Sequence, residues 1–507
     1  MDALSNLLFG FGIALTPYNV MVAATGVFLG IVIGVLPGLG GTSGVAILLP
    51  ITFGMPPTSG IIFLASIYWG ALFGGAITSI LFNIPGEPWS VATCFDGYPM
   101  AKQGRAAEAL ACAFLPGFFA SLIGILLFTF FAPPLAEIAL KFGPPENFAV
   151  LLLAFSTFAG LGGGSLPKTL ISAFIGFLLA SVGLDIVTGK PRLTFGSITL
   201  MGGFSFITAC IGLFGLGEIL VSAEEALRFK GIQAKVRVRE IGLVVKSLIQ
   251  HVKTFITGTL LGFWVGVMPG TGATPASFMS YGIAKQYSKH PEKFGTGVQE
   301  GVIATESAAH AAGIGALLPL VTLGIPGSPT AAVMLGGLYI WGLRPGPMLF
   351  AEKPDFVWGL ISSMYIGNVI GLLMCLLLVP FFTTILRTPY AILTSLIVLL
   401  SAIGAYAVKN MMLDIWLLLI FGVIGYVFKK LHYPLAPLVI ALVLGDMTEE
   451  ALRQSLIMSD GSFAIFFTRP IAAVFIVVTL LLFSLPALKP MVRRLRTNLH
   501  PRPLHEI

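Results

Sequence analysis

The chain has 507 residues, of which 56% are hydrophobic and 10% charged, with a mean hydropathy of +0.95 and a formal net charge of +7. A soluble domain carries roughly a quarter charged residues, so composition excludes a soluble enzyme, and length excludes a small helical bundle. The basic residues sit in short connectors and at the C-terminus. That distribution speaks for membrane orientation and against nucleic acid as a partner.

Most of the chain falls into apolar runs of the ~20 residues that a spanning helix needs. The expected fold is therefore an all-α polytopic membrane protein in a lipid bilayer, with about 11–12 transmembrane helices. The N-terminus lacks the basic n-region of a cleavable signal peptide, so the first helices are expected to belong to the mature protein. In chain order, residues 22–53 are predicted as a re-entrant helical hairpin broken at a Pro-Gly tip, or alternatively as a Pro-Gly-broken helix that crosses fully, followed by crossings near 60–82, 110–132, 147–160, 169–184 and 198–220. A basic joint over 224–253 leads to a second hairpin over 255–284 and crossings near 306–324, 356–380, 391–407, 411–428 and 434–446. An extra helix near 463–485 precedes a basic tail.

The 60 glycines and 33 prolines cluster at four places: Gly34–Thr42, Asn83–Pro88, Gly266–Thr274 and Gly324–Pro329. The clusters pair. Pro37 and Pro269 differ by 232, Pro85 and Pro326 by 241, and Gly124 with Pro133 matches Gly371 with Pro380 at 247. A duplicated unit with loop drift gives this pattern, so the organisation read here is a first membrane repeat (1–223), a cytoplasmic basic joint (224–253), a second membrane repeat (254–460), and an extra C-terminal helix with a cytoplasmic tail (461–507). Each half has an odd number of crossings, which makes the repeats inverted. The positive-inside rule agrees, because 21 of the 29 basic residues fall on the predicted cytoplasmic side and residues 1–101 contain no Lys or Arg.

Inverted repeats with paired discontinuous helices describe a secondary transporter whose site lies near the membrane midplane. A break exposes backbone N–H groups at a helix N-terminus, which attract anions, and unwound carbonyls at C-terminal ends, which suit cations. The candidate substrate-binding residues are Gly38, Gly40, Thr42, Ser43, Pro85, Gly86, Ser90, Thr93, Gly270, Thr271, Gly272, Thr274, Pro326, Gly327, Ser328 and Thr330. The candidate ion-coupling residues are Asn83, Glu306 and His310, the last two four apart on one helix face. Glu87, Asp96 and Glu300 are further ionisable residues at the apolar boundary, Asp96 being read as solvated at the interface. Cys94, Cys112, Cys210 and Cys375 are scattered packing residues without a CxxC spacing. Gly162–Ser165 reads as a flexible turn. No catalytic group, resident cofactor or metal site is expected: there is no phosphate-binding loop, and Glu306 with His310 leaves a zinc site incomplete.

The sequence resembles the large membrane subunit of the tripartite tricarboxylate transporter family over about residues 15–485, on the stretches GVLPGLGGTSGVAILLP (34–50), YWGALFGGAITSILFNIPGE (68–87), DGYPMAKQG (96–104), FGTGVQEGVIATE (294–306) and LGIPGS (323–328). The resemblance implies a multi-pass protein of the bacterial inner membrane, C-terminus cytoplasmic, importing citrate or another di- or tricarboxylate with Na⁺ or H⁺ as the coupling cation. It also implies two partners, a small four-helix membrane subunit and a periplasmic substrate-binding protein. Where that family commonly carries two asparagines after the motif glutamate, this chain has Ala309 and His310. Two other readings stand beside it: an intramembrane acid–base or metal enzyme using Glu306 and His310, and a passive anion channel.

Overall fold

The computed structural model describes residues 3–36, 39–161, 165–185, 189–225, 236, 238–385 and 390–482. Pro37 and Gly38, Gly162 to Gly164, most of the basic joint, Arg387 and the basic tail lie outside these residues. Helix α1 covers Ala3–Ala14, and α2 (Pro17–Val35) starts where the Thr16 hydroxyl accepts from the Asn19 N–H, with Pro at the first helical position. After the first break come α3 (Gly41–Leu48), a tight 3₁₀ turn (Leu49–Gly54) and α4 (Pro57–Phe82). Helix α4 closes on Asn83, which holds the left-handed conformation (φ 57°). The second break leads to α5 (Val91–Met100) and, through a π-helical turn (Ala101–Arg105), to α6 (Ala106–Ala139).

Next are α7 (Pro144–Leu161), α8 (Leu166–Ala180) and a two-residue antiparallel pair, β1 (Gly183–Leu184) with β2 (Pro191–Arg192). Helices α9 (Phe206–Cys210) and α10 (Gly217–Glu225) are joined by a π-helical turn, and α11 is Val238–Gln250. The second half then runs through α12 (Val252–Val267), a third break, α13 (Ala273–Tyr287), α14 (Gln299–Gly315), α15 (Leu317–Leu323), a fourth break and α16 (Pro329–Ile340). It ends with α17 (Met348–Glu352), α18 (Pro354–Ile385), α19 (Tyr390–Lys409), α20 (Met412–Lys430), α21 (Leu435–Met458) and α22 (Ile465–Thr468).

The protein is an all-α polytopic membrane protein. Among the described residues six helices are long and apolar enough to cross a membrane, and shorter apolar helices accompany them. Apolar side chains such as Leu377, Leu399, Trp416 and Val423 face outward on α18, α19 and α20, as helices in lipid require. Two expectations need correction. The crossing predicted over 198–220 is interrupted: Thr199–Gly202 forms a 3₁₀ turn, and Gly203 (φ 66°) takes a conformation that only glycine adopts without strain. Helices α1, α5, α11 and α16 are missing from the predicted series because, at 10 to 13 residues, they fall below the ~20 that mark a crossing.

Glycine spacing fixes the centre of the molecule. In α2, Gly26, Gly30 and Gly34 recur every fourth residue and lie against the carbonyls of Phe63, Ile67 and Ala71 on α4. In α12, Gly258, Gly262 and Gly266 lie against the carbonyls of Ala304, Ala308 and Ala312 on α14. The first set differs from its counterpart by 232 and the second by 241, the separations of the paired prolines. Close backbone approach of this kind drives helix association in lipid, where burial of apolar surface supplies no net force. Gly30→Leu and Gly262→Leu are therefore expected to destabilise the fold by about 3 kcal/mol each through overpacking. Thermal unfolding in detergent checks this, with Gly12→Leu, whose Cβ meets nothing within 4 Å, as an unaffected control.

Candidate functional site

The second and fourth breaks use one local construction. A buried helix ends in a left-handed residue, Asn83 or Gly324 (φ 73°), and the chain runs Ile-Pro-Gly to an extended cap, Glu87 or Ser328, followed by proline at the next helical position. Gly86 and Gly327 let this turn touch the end of the hairpin helix of their own half. A Cβ on Gly86 would overlap the Gly34 carbonyl, and one on Gly327 would stand 2.6 Å from the Gly266 carbonyl oxygen. Further bonds tie the second pair of breaks, since the Gly270 N–H donates to the Pro326 carbonyl (3.2 Å) and the Gly272 N–H to the Gly327 carbonyl (3.1 Å).

Between the halves the breaks are exchanged. The Thr42 and Thr330 hydroxyls, at the N-terminal ends of α3 and α16, are 2.8 Å apart. In the converse contact the Ser277 hydroxyl on α13 donates to the Trp89 carbonyl (3.1 Å) at the second break. Helix N-termini from both halves thus lie at one centre, and one of them already holds a carboxylate: the Gly41 N–H donates to Glu87 Oε1, and Gly40 lies against the same carboxylate. The Tyr68 hydroxyl is within reach of Ser328 at this centre, and Lys429, paired with Glu218, is the cation nearest in effect to Glu87.

The remaining candidates divide. Thr93, on α5, donates to Glu306 Oε1 at 2.5 Å and faces Thr305 at 3.3 Å, so it joins the first half to the ionisable pair on α14. Ser90 caps its own turn, donating to the Glu87 carbonyl (2.8 Å) and accepting from the Glu87 N–H (3.2 Å). Ser328 caps α16 by accepting from the Ala331 N–H (3.1 Å). Ser43 turns away, donating to the Phe214 carbonyl (2.9 Å), and Thr271 donates to the carbonyls of Val265 and Met268, so both hydroxyls serve the fold. Thr274 is half-buried at the start of α13, and Pro85 is half-buried beside Gly86. Gly38 lies outside the described residues.

Glu306 and His310 are both buried. His310 Nδ1 is 3.0 Å from the Glu306 backbone carbonyl and 3.5 Å from Glu306 Oε2. No third His, Cys, Asp or Glu joins them with metal-ligand geometry among the described residues. Asn83 is exposed and bonds to neither; its part is the left-handed cap of α4.

Asp96 is not solvated at an interface. It is fully buried on α5, and its Oδ1 accepts from the N–H groups of Gly295 (2.9 Å), Gly297 (2.8 Å) and Val298 (3.0 Å) while Oδ2 accepts from the Tyr281 hydroxyl (2.9 Å). It thereby caps the N-terminus of α14 from another half of the chain. Glu300 accepts from Thr254 and Ser288, both at 2.8 Å. Tyr68, Trp69 and Ser277 are not apparent as site residues from sequence, because their polar atoms sit in apolar or small-residue runs that read as packing.

The chain matches the Tripartite tricarboxylate transporter TctA family over residues 20–440. It is 42% identical over 497 residues, 98% of each chain, to a protein of Agrobacterium vitis described as an uncharacterized 52.8 kDa protein in the TAR-I ttuC' 3' region. A second Agrobacterium vitis protein, described as uncharacterized and in the TAR-II ttuC' 3' region, is 39% identical over 235 residues, which are 46% of this chain and 97% of that protein. No solved structure matches.

Proposed function

Because the chain belongs to the TctA family, the large subunits of tripartite tricarboxylate transporters, we propose that it imports citrate or another di- or tricarboxylate as a cation-coupled symporter of the bacterial inner membrane. In this reading a periplasmic binding protein delivers the substrate, a small four-helix membrane subunit completes the assembly, and the C-terminus is cytoplasmic. The halves are inverted repeats, and the substrate carboxylates are held where the breaks of both halves meet, by backbone N–H groups and by the hydroxyls of Thr42, Ser328 and Thr330.

The observation that carries the reading is the Thr42–Thr330 contact (2.8 Å) beside a helix N-terminus that binds a carboxylate, that of Glu87. A site built to present unpaired N–H groups to one carboxylate suits another. The topology is supported by the polar contacts between distant segments, each of which joins regions that the charge tally puts on one side. Lys168 with Leu431, Lys430 with Glu224 and Arg105 with Gly297 fall on the cytoplasmic side. Arg192 with Glu449, Arg453 with Asp185 and Arg469 with Glu146 fall on the other.

Uptake of radiolabelled citrate, and of other di- and tricarboxylates as competitors, by cells lacking and then regaining this chain tests the proposal. Uptake is expected to require the chain, the binding protein and an ion gradient, and to disappear in a Gly327→Leu variant that still inserts. Uptake that proceeds without a gradient, and never above the external concentration, would favour the passive channel instead.

A further inference from the structure

His310 of the Glu306–His310 pair lines a small void between helices. The wall includes Trp69, Phe73, Ser121, His310, Ile314 and Asn368. These are three pairs of matching positions, since 69 and 310, like 73 and 314, differ by 241, and 121 and 368 differ by 247. Those are the separations of the paired prolines and of Gly124 with Gly371. The void therefore lies where the two halves face each other through equivalent residues. Among the described residues, His310 Nε2 and Trp69 Nε1 of this wall are buried without a hydrogen-bond partner, as are Glu306 Oε2 and Ser66 Oγ. Buried polar atoms are almost always paired, and a group of unpaired ones calls for a functional account.

The imidazole tautomer follows from its contacts. A carbonyl oxygen only accepts, so the 3.0 Å contact of Nδ1 with the Glu306 carbonyl places a proton on Nδ1. The neutral ring then presents a bare lone pair at Nε2. A proton arriving there converts imidazole to imidazolium, whose charge is met by Glu306 Oε2, 3.5 Å from Nδ1, and by the ring of Phe73, with its centroid 4.7 Å away. The pair itself makes a poor seat for sodium, because a hard cation needs several converging oxygens and the pair offers one free carboxylate oxygen beside an imidazole nitrogen.

The surroundings leave the pair as the titrating unit. Cys94 of α5 faces Glu306, Tyr68 of α4 lies beside Gly313, and Cys112 of α6 is buried. Helix α6 turns Gly117 to the imidazole, α12 turns Gly258, Gly262 and Gly266 to α14, α13 brings Ser280, and the second break brings Trp89. Asp96, Glu108, Arg105, Tyr281 and Glu300 are engaged in their own bonds near the N-terminal end of α14. No Lys or Arg pairs with Glu306 among the described residues.

We infer that the Glu306–His310 pair, whose imidazole lines the void between the two halves, is the proton-coupling site of this chain, with the coupling proton carried at His310 Nε2. This rests on the reading of the chain as a cation-coupled importer. Thr93 links the site to the substrate centre, since it follows the second break by a few residues and donates to Glu306 Oε1 at 2.5 Å. Proton arrival that reorients the Glu306 carboxylate is thus felt at the break that carries Gly86 and Glu87.

Two measurements on the full chain test this, and only the second depends on transport. In the first, indole emission of the purified protein is titrated; protonation of His310 beside Trp89 and Trp69 is expected to quench it in one step that is lost in His310→Asn. In the second, the chain with its partner subunits is placed in proteoliposomes with radiolabelled citrate. An acid-outside gradient is expected to drive accumulation in the wild type and to fail in His310→Asn and Glu306→Gln, while citrate exchange at equal pH persists in both variants. An indole signal that titrates identically in wild type and His310→Asn overturns the inference. So does a sodium gradient that drives equal accumulation in both. Absence of citrate exchange in the wild type would count against the carboxylate reading, and the indole titration would still decide the proton site.

Discussion

Gly86→Ala and Gly327→Ala are expected to abolish uptake and to lower the thermal stability of the purified chain, although each adds a single methyl group. At Gly86 the new Cβ would overlap the Gly34 carbonyl and stand 3.2 Å from Thr78 Oγ1; at Gly327 it would stand 2.6 Å from the Ala316 Cα and 2.7 Å from the Ala316 carbonyl oxygen. The obstructing atoms are chiefly backbone in packed helices and have no rotamer to escape into, so the cost is about 2–3 kcal/mol in each case. The strain falls on the turn that places Glu87 or Ser328, and a misplacement of even ~1 Å at such a site is costly to function. Gly282→Ala is the control, since its Cβ meets nothing within 4 Å. Uptake and unfolding temperature measured on the three variants decide the matter.

Asp96→Ala is the second change with a large expected effect. One oxygen of this buried carboxylate accepts three backbone N–H groups of the 295–298 segment. Its removal leaves those donors and the Tyr281 hydroxyl (2.9 Å to Oδ2) without their acceptor. Bonds to a charged acceptor contribute about 1.5–3 kcal/mol each and buried orphans add a penalty, so a loss on the order of 4 kcal/mol is expected. Asp96→Asn keeps the oxygen that receives the three N–H groups, and should recover much of that stability. Thermal unfolding of both variants separates a lost acceptor from a lost charge: equal destabilisation by Ala and Asn would mean that the charge itself is what the loop requires.

Much of this architecture is legible in the sequence because it is written in glycine and proline. Helix α2 ends at Leu36 and α3 begins after Gly40, and the helices are interrupted again at Asn83–Ser90, Met268–Gly272 and Gly324–Ser328, where the Pro-Gly clusters stand. The separations of 232 and 241 recur in the helix stripes that hold α2 on α4 and α12 on α14. Side-chain direction is less legible. Ser43 and Thr271 share the composition of Thr42 and Thr330, yet their hydroxyls bond to backbone carbonyls nearby, and nothing in the local sequence distinguishes the two uses. Asp96 was misread for a related reason. Its partners lie some 200 positions away, so only the packing of α5 against the start of α14 reveals that the carboxylate is buried and paired. Trp69 and His310 occupy matching positions in the two halves, but an indole in an apolar run reads as core until the void between the halves is seen.

Breaks from both halves are proposed to meet at one substrate centre, and the Thr42–Thr330 contact tests this most directly. The hydroxyl oxygens are 2.8 Å apart, close enough for Thr42→Cys and Thr330→Cys together to form a disulfide under mild oxidation. Cross-linking yield and radiolabelled citrate uptake should be measured on this double variant with and without saturating citrate. The account predicts that oxidation stops uptake, that reduction restores it, and that citrate present beforehand slows the cross-link. Uptake that continues through a complete cross-link, with citrate leaving its rate of formation unchanged, would contradict it.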